Sequence, residues 1–127
     1  MGGTCINLHN REVGGDTAHL TCKAEGARLL QIENHSTNTA IKTFLQTDAV
    51  LRSHSYYIGG RWSSSDARFV WEDGTLVDYD DWKARYPNRK GERRCILLKT
   101  EFNFQWKDNI CLRKHWFICE FEIHSVN

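Results

Sequence analysis

Two neighbouring segments near the end of the chain decide its fold: Trp106-Lys107-Asp108-Asn109-Ile110-Cys111 and His115-Trp116-Phe117-Ile118-Cys119-Glu120-Phe121. In the second segment the odd-numbered residues from Phe117 to Phe121 share one face, and Trp116 and Ile118 occupy the other. A strand that is apolar on both faces is typical of the middle of a sheet. The polar residues 107–109 lie between an aromatic segment and a cysteine, which predicts a loop held at both ends and a binding site within it.

Length and charge bound the class of protein. The 127 residues are predicted to form one domain, residues 1–127, with a strand and turn at residues 1–15. With 17 basic and 16 acidic residues, the net charge of +1 gives no reason to expect nucleic acid or a membrane surface as a partner. No apolar run approaches the ~18 residues of a membrane-spanning helix, so no membrane insertion is predicted.

The cysteines indicate an oxidising compartment. They lie at positions 5, 22, 95, 111 and 119, and none of the spacings is that of a zinc or redox Cys-x-x-Cys motif. In a small, loop-rich chain this favours two disulfides and one cysteine left over, hence a secreted protein or an ectodomain. Asn34-His35-Ser36 is an N-glycosylation sequon and agrees with that. Spacing alone leaves the disulfide pairing open.

The rest of the chain predicts an α+β arrangement. Asp16 is expected to cap a helix over residues 17–25 that ends at Gly26, and apolar spacing predicts a second helix over residues 37–46. Alternation and turn residues predict further strands at 56–60, 69–71, 96–98 and 102–106. The segment from 78 to 94 has almost no aliphatic residue, and a long loop of this kind in a compact domain is usually functional.

Motifs of one protein family occur in order along most of the chain. They are Ala18-x-x-x-Cys22-x-x-x-Gly26-x-x-Leu29-x-x-Ile32, Tyr57-Ile58-Gly59-Gly60, Trp71-Glu72-Asp73-Gly74-Thr75, Trp82, Tyr86-Pro87-Asn88, Cys95, Trp106-Lys107-Asp108 with Cys111, and Phe117-Ile118-Cys119-Glu120. In these motifs and their spacing the chain resembles the C-type lectin-like domain. The resemblance implies the α+β C-type lectin-like fold, with two helices flanking antiparallel sheets, a long binding loop and two disulfides.

The resemblance implies the disulfides Cys22–Cys119 and Cys95–Cys111 and leaves Cys5 unpaired. In the chain-entropy model the longer bridge would stabilise the fold by roughly 4 to 5 kcal/mol and the shorter one by about 3 kcal/mol. Cys5 lies where longer members of the family place the second cysteine of an N-terminal hairpin, so its partner would precede residue 1 in an untruncated chain. The alternative is an interchain disulfide and a dimer through Cys5.

The resemblance also implies the position of the family's sugar-binding calcium, which needs six to eight oxygen ligands. Only Asn88 and Asp108 keep the expected residue types. The remaining positions of the ligand set hold Tyr86, Arg93 and Lys107, with Glu92 displaced by one residue. A lysine ammonium in contact with a divalent cation would be repelled by several kcal/mol. The sequence therefore predicts no calcium at this position and no required cofactor.

Two interpretations of the altered site stay open. Lys107 or Arg93 could take the place of the ion and pair with Asp108 or Glu92, or Lys107 and Asp108 could form an ordinary solvated surface pair. A separate structural calcium site of the family uses the glutamate after the last cysteine, here Glu120, with a group near the second helix, here Asn38. The neutral amide of Asn38 stands where a carboxylate is expected, so this second site also stays open.

The long loop is strongly basic. Between residues 83 and 94 one acid, Glu92, accompanies six cations: Lys83, Arg85, Arg89, Lys90, Arg93 and Arg94. Basic clusters attract anionic polymers, and arginine forks bind sulfate, phosphate and carboxylate groups. An ordinary solvated loop, a protein-binding surface and a neutral glycan site are the alternatives.

The sequence contains no Gly-x-Ser-x-Gly, His-Glu-x-x-His or phosphate-loop motif, and we expect no enzymatic activity. The expected function is a secreted or ectodomain recognition module for glycans or anionic microbial or matrix polysaccharides, as in pattern recognition by innate immunity. The candidate binding residues are Arg85, Tyr86, Asn88, Arg89, Glu92, Arg93, Lys107 and Asp108. The alternative is a protein-interaction module that uses the same loop face.

Overall fold

The computed structural model describes residues 3–88 and 94–123. The elements along the chain are β1 (Gly3–Val13), α1 (Gly15–Ala24), β2 (Arg28–Leu29), α2 (His35–Gln46), β3 (Tyr56–Ser63), β4 (Arg68–Val70), β5 (Arg94–Leu98), β6 (Trp106–Ile110) and β7 (His115–Ile123). Short 3-10 turns at Leu51–Ser53 and Thr100–Phe102 precede β3 and β6. Among the described residues no helix is long and apolar enough to cross a bilayer.

The strands form one sheet in the order β1-β7-β3-β5-β6, with β2 added to β7 and β4 added to β3. Among the described strands the pairing is antiparallel except between β3 and β7, which run parallel. The central position of β7 agrees with its two-sided apolar pattern, and Phe117 and Ile118 are both fully buried. Phe121 is 41 % exposed, contrary to the prediction, because β2 ends its pairing at Glu120 and only β1 accompanies the strand there.

Helix α1 begins two residues earlier than predicted, and Asp16 does not cap it. The N-cap is Gly14, which has no side chain to offer, and the N–H of Gly15 donates instead to the carbonyl of Cys111 at 2.6 Å. Asp16 lies in the first turn, where its negative charge interacts favourably with the helix dipole, and its carboxylate accepts a hydrogen bond from Arg61 at 2.6 Å. Gly26 ends the helix with a φ of +75°, as predicted.

Helix α2 also begins two residues earlier than predicted. Asn34 is its N-cap, and the side-chain oxygen accepts from the N–H of Thr37 at 2.8 Å. The inner face of the helix buries Ile41 and Leu45 in the larger core cluster. Helix α1 packs on the opposite face of the sheet, where Ala18 and Cys22 meet the smaller cluster.

Two predictions near the decisive segment are wrong. Residues 102–105 do not form a strand, because the Thr100–Phe102 turn is followed by left-handed backbone at Asn103 (φ 52°) and Phe104 (φ 66°). Of the predicted strand, only Trp106 belongs to one, as the first residue of β6. Residues 107–109 do not form a loop, because they belong to β6 and pair with β5. Polar side chains are tolerated in this strand because the buried Asp108 and Asn109 both have partners.

The two disulfides are those that the resemblance implied. Cys22–Cys119 joins α1 to β7 with a Cα–Cα distance of 5.5 Å, and Cys95–Cys111 joins β5 to the residue after β6 with 5.3 Å. Cys5 on β1 carries a free thiol, is half-buried, and lies opposite Phe121 of β7. The disulfides therefore tie α1 to the sheet and hold the end of β6, beside which the candidate site lies.

Candidate functional site

The loop after β4 and the β5–β6 ladder enclose an open pocket of about 380 Å³. Among the described residues, three cations and no acid line it; this lining consists of Tyr86, Asn88, Arg94, Lys107, Asn109, Ile110 and Arg113. We call this surface the basic loop face. It brings together three of the predicted residues, Tyr86, Asn88 and Lys107.

Asp108 lies beneath the pocket and is fully buried against Arg94, whose side chain is 13 % exposed. Nε of Arg94 donates to Oδ2 of the carboxylate at 3.1 Å, and a terminal nitrogen lies 3.0 Å from the same oxygen. That terminal nitrogen also donates to the Asp108 carbonyl at 2.9 Å, while the N–H of Asn88 donates to Oδ1 at 3.1 Å. Both carboxylate oxygens therefore have donors, and one of the donors carries the opposite charge.

The predicted pairing of Lys107 with Asp108 is wrong in both of its forms. Consecutive residues of a strand point to opposite faces of the sheet, so Lys107 and Asp108 diverge in β6. Among the described residues, Arg94 on the neighbouring strand forms an ion pair with Asp108. Arg93 and Glu92, the other residues considered for this role, lie outside the described residues.

This donor set does not fit a calcium ion at the family's loop position. A calcium ion would have to displace the Arg94 guanidinium from Asp108 and accept the Lys107 ammonium close by. Asn88 is retained, but its described contact with Asp108 is made by its backbone N–H. The positive charge that a calcium ion would supply at Asp108 is already supplied by the Arg94 guanidinium.

Lys107 lies in a locally positive environment. Its Nζ is 5.6 Å from the centroid of the Tyr86 ring and 3.4 Å from Oδ1 of Asn109. Burial, followed by the charge of Lys99, lowers the pKa of Lys107, and Arg94 and Arg113 add to the effect. An anion bound beside this ammonium would reduce the repulsion among these cations.

The loop that carries Tyr86 is anchored at several points. The N–H of Lys83 donates to the Trp106 carbonyl at 2.9 Å, and Trp106 donates back to the Asp81 carbonyl at 2.9 Å. Tyr86 packs against Phe102 with ring centroids 5.6 Å apart, and the Tyr86–Pro87 peptide is cis. Arg85 has a φ of 76°, which is uncommon for a residue with a side chain. The prediction of an ordered loop is supported for its described part.

The remaining predicted residues are distributed differently. Arg85 is exposed on the loop but does not line the pocket, and Lys83 lies over Phe102 at 5.7 Å. Arg89 and Lys90, like Glu92 and Arg93, lie outside the described residues.

Sequence reasoning missed Asn109 and Arg113 as pocket residues. Asn109 shares a face with Lys107 at a spacing of two, a signal that the prediction of a loop concealed. Its Nδ2 donates to the hydroxyl of Tyr57 at 3.1 Å, and this hydroxyl lies 2.7 Å from the Arg113 carbonyl, to which it donates. Burial raises the pKa of Tyr57 to about 12, so the phenol keeps its proton and these contacts.

The two residues considered for a structural calcium make separate contacts. Asn38 donates through Nδ2 to Asp81 at 2.8 Å, and its Oδ1 accepts from the Trp106 indole at 3.2 Å. Glu120 accepts from the N–H of Gln31 and pairs with Arg28. Among the described residues the contacts of Asn38 and those of Glu120 have no residue in common, so they give no support for a shared ion.

Comparisons with known proteins place the chain in a family. Residues 13–121 match the family model described as the Lectin C-type domain. Human chondrolectin is 26 % identical over 83 % of this chain and 46 % of its own length, so the chain spans about half of that relative.

Solved structures agree with this match. The mouse scavenger receptor C-type lectin carbohydrate-recognition domain is 27 % identical, with a TM-score of 0.82 over 98 % of this chain and 92 % of that chain. The Ca²⁺-independent C-type lectin SPL-2 from Saxidomus purpuratus is 25 % identical, with a TM-score of 0.83 over 95 % and 88 %. The chain belongs to the C-type lectin domain family, whose members are generally ligand-binding modules and not enzymes.

Proposed function

We propose that this domain recognises acidic glycans at the basic loop face without calcium. The observation that carries the proposal is the pocket itself, in which Lys107 and Arg113 stand beside Arg94 and no carboxylate occurs among the lining residues that the structure describes. Asp108 beneath them is neutralised by Arg94, so the charges of Lys107 and Arg113 are not cancelled from below. A sulfate or carboxylate group is the ligand that this arrangement favours.

The pocket offers each part of an acidic sugar a suitable neighbour. Lys107 and Arg113 would contact the anionic group, and the exposed Asn88 amide would hydrogen-bond to ring hydroxyls. The half-buried Tyr86 ring would contact the apolar face of the sugar. Arg85, Arg89 and Arg93 belong to the same loop sequence, and we propose that they extend the positive surface along a polymeric ligand.

Calcium independence follows from the same ion pair. Arg94 supplies a positive charge at Asp108, where members with a sugar-binding calcium would carry the ion. Ligand binding at this site is therefore proposed not to require calcium. The similarity to SPL-2, which is described as a Ca²⁺-independent C-type lectin, supports the proposal. The two disulfides support an extracellular location, either secreted or as an ectodomain.

The direct test is binding to immobilised heparin, hyaluronan and chitin oligosaccharides, in matched calcium and chelator buffers. We expect chelator-insensitive binding to the two acidic glycans that weakens steeply with salt. The double variant K107A/R113A is expected to bind at least ~10-fold more weakly, because two charged contacts are worth more than about 1.4 kcal/mol together. Lys114→Ala is the matched control, since Lys114 is exposed and does not line the pocket.

Other outcomes would overturn parts of the proposal. Binding that disappears in chelator would mean that a metal ion completes the site. Equal binding to chitin oligosaccharides, unaffected by K107A/R113A, would mean that Lys107 and Arg113 do not contribute to ligand recognition. Absence of binding to all three glycans would reject glycan recognition.

One observation favours a protein ligand as the second candidate. Ile110 and Leu112 are 39 % and 64 % exposed and flank Cys111 at the edge of the basic loop face. Apolar side chains beside an arginine are typical of a protein-binding surface. Leu112→Ser should leave heparin binding unchanged and weaken binding to a protein ligand, which separates the two candidates.

A further inference from the structure

A second groove lies between α2 and the strands β1, β2 and β7. Its volume is about 680 Å³, within the range of roughly 300–1,000 Å³ typical of small-ligand sites. We call it the α2 groove; its lining includes Ile6, Arg28, Gln31, Glu33, Phe44 and Glu120. It shares no lining residue with the basic loop face.

The floor of the α2 groove holds a carboxylate with incomplete compensation. Glu120 lies between Ile6 on β1 and Arg28 on β2 in the register of the sheet, and it is 6 % exposed. Its Oε2 accepts from the N–H of Gln31 at 2.5 Å, but Oε1 has Arg28 only at 3.5 Å. Arg28 is 35 % exposed and lies 3.7 Å from Asp73 as well, so its charge is divided.

The two oxygens of Glu120 are unequally compensated. Oε2 accepts from a backbone N–H at short distance, whereas Oε1 has only the more distant and divided charge of Arg28. The carboxylate would therefore gain from a further donor or cation. The exposed Glu33 adds a second negative charge to the lining, in which Arg28 is the one cation among the described residues.

Gln31 contributes an unused acceptor to the same place. It is 5 % exposed, lines the groove, and its Oε1 has no hydrogen-bond partner among the residues that the structure describes. The amide cannot be reversed to correct this, because its Nε2 donates to Oδ2 of Asp73 at 3.3 Å and reversal would oppose two oxygens. A buried acceptor without a donor is costly and is expected to gain from a ligand that donates.

Part of the groove wall is apolar, and the lining also contains Asn34, Ser36 and Thr37. Ile6 is 37 % exposed on β1 and Phe44 is 42 % exposed on α2, with Leu30, Ala40 and Ile41 also in the lining. These apolar surfaces offer no ligand atoms to a hydrated metal ion. An organic cation with an apolar chain, in contrast, matches both the floor and the walls.

We infer that the α2 groove binds a primary alkylammonium group, with the ammonium on Glu120 and the alkyl chain between Ile6 and Phe44. An ammonium donates three hydrogen bonds, and Oε1 of Glu120 and Oε1 of Gln31 are the acceptors that the groove offers it. The ligand class is an amphipathic primary amine. The site is independent of the proposed glycan-binding function.

The test is a titration of the ¹⁵N-labelled protein, followed by amide chemical shifts, with n-hexylammonium and with hexanol as the uncharged analogue. We expect saturable shifts at Gln31, Phe44 and Glu120, and a Kd for the ammonium at least ~10-fold lower than for hexanol. Glu120→Gln should remove that preference, whereas Glu101→Gln, an exposed acid outside the groove, should keep it.

A second variant guards against a folding defect. Phe44→Ser changes an exposed residue and should weaken both ligands while the spectrum stays dispersed. Equal affinity for hexylammonium and hexanol would overturn the inference, as would the absence of saturable shifts up to ~50 mM ligand. If calcium chloride instead of the amine produced the groove shifts, the site would be a metal site and the inference would be wrong. Heparin binding should be unchanged by Glu120→Gln, so failure here leaves the glycan proposal intact.

Discussion

Asp108 and Glu120 are both buried carboxylates with an arginine as neighbour, but the two arginines do different things. Arg94 is 13 % exposed and places two nitrogens 3.0–3.1 Å from one oxygen of Asp108. Arg28 is 35 % exposed and approaches Glu120 only to 3.5 Å while also facing Asp73. The burial and geometry of the partner therefore decide whether a buried acid becomes a structural element or remains able to attract a ligand.

The difference gives the two faces opposite charge. Because Asp108 is fully compensated from within the sheet, the basic loop face above it keeps the charges of Lys107 and Arg113. Because Glu120 is only partly compensated, the α2 groove remains acidic despite the presence of Arg28. One sheet thus supports a surface suited to anions and a groove suited to an organic cation.

The largest expected effect comes from breaking the tighter pair. Arg94→Met should lower the free energy of unfolding by about 3–5 kcal/mol, because it leaves the Asp108 charge buried without its partner. Urea denaturation at pH 7, followed by tryptophan fluorescence, measures this. The double variant R94M/D108L should recover much of the loss, and a loss of under ~1 kcal/mol for R94M would show that the pair is not structural.

The looser pair should be cheaper to break. Arg28→Met is expected to lower the free energy of unfolding by about 1 kcal/mol, because Arg28 is partly solvated and its contact with Glu120 is long. The same urea denaturation measures it beside R94M. Equal costs for the two arginine variants would contradict the comparison between the two carboxylates.

The raised pKa of Glu120 predicts a pH dependence with a defined sign. The native state holds the proton more tightly than the unfolded state, whose Glu pKa is near the ordinary value of 4.5. The resulting stabilisation is complete below pH 4.5 and is lost as the pH rises through the native pKa. Relative to Glu120→Gln, the unsubstituted chain should therefore lose stability between pH 4 and pH 7 by urea denaturation. A stability difference independent of pH would contradict this.

Removing the ammonium of Lys107 should slightly raise the free energy of unfolding, whereas the two arginine variants lower it. Burial and neighbouring cations lower the pKa of Lys107, so at pH 7 its charge opposes folding. Lys107→Met is expected to change the free energy of unfolding by between zero and about +0.5 kcal/mol, measured against the exposed control Lys114→Met. A clear destabilisation by K107M alone would mean that Lys107 has a structural role, contrary to the ligand-binding role proposed for it.

The smallest expected effect is a null result in calorimetry. Lys107→Asn restores a residue type of the family's calcium ligands, but Arg94 would still occupy Asp108. We therefore expect no heat of calcium binding to K107N at millimolar calcium. Measurable binding would show that Lys107, and not Arg94, is the residue that excludes the ion.

Much of the fold was predictable because it is indicated by apolar periodicity within single elements or by sequence motifs of the family. The two-sided apolar pattern of β7 predicted a central strand, and the family motifs implied the pairing Cys22–Cys119 and Cys95–Cys111. The apolar spacing of α2 predicted a helix, although the Asn34 cap extended it by two residues. These features depend on neighbours in sequence, where periodicity is informative.

The sequence by itself determined the family, the disulfides and the basic character of the loop, whereas only the tertiary structure decided how the charges are arranged. Local alternation suggested a strand at residues 102–106, and the polar run at 107–109 suggested a loop. Residues 102–105 instead lie outside the strands, and residues 107–109 pair with β5 as part of β6. Adjacency in sequence suggested Lys107 as the partner of Asp108, but the pleat separates them and the neighbouring strand supplies Arg94. The α2 groove was not foreseen at all, because Ile6, Glu120 and Arg28 meet only through the register of three strands distant in sequence.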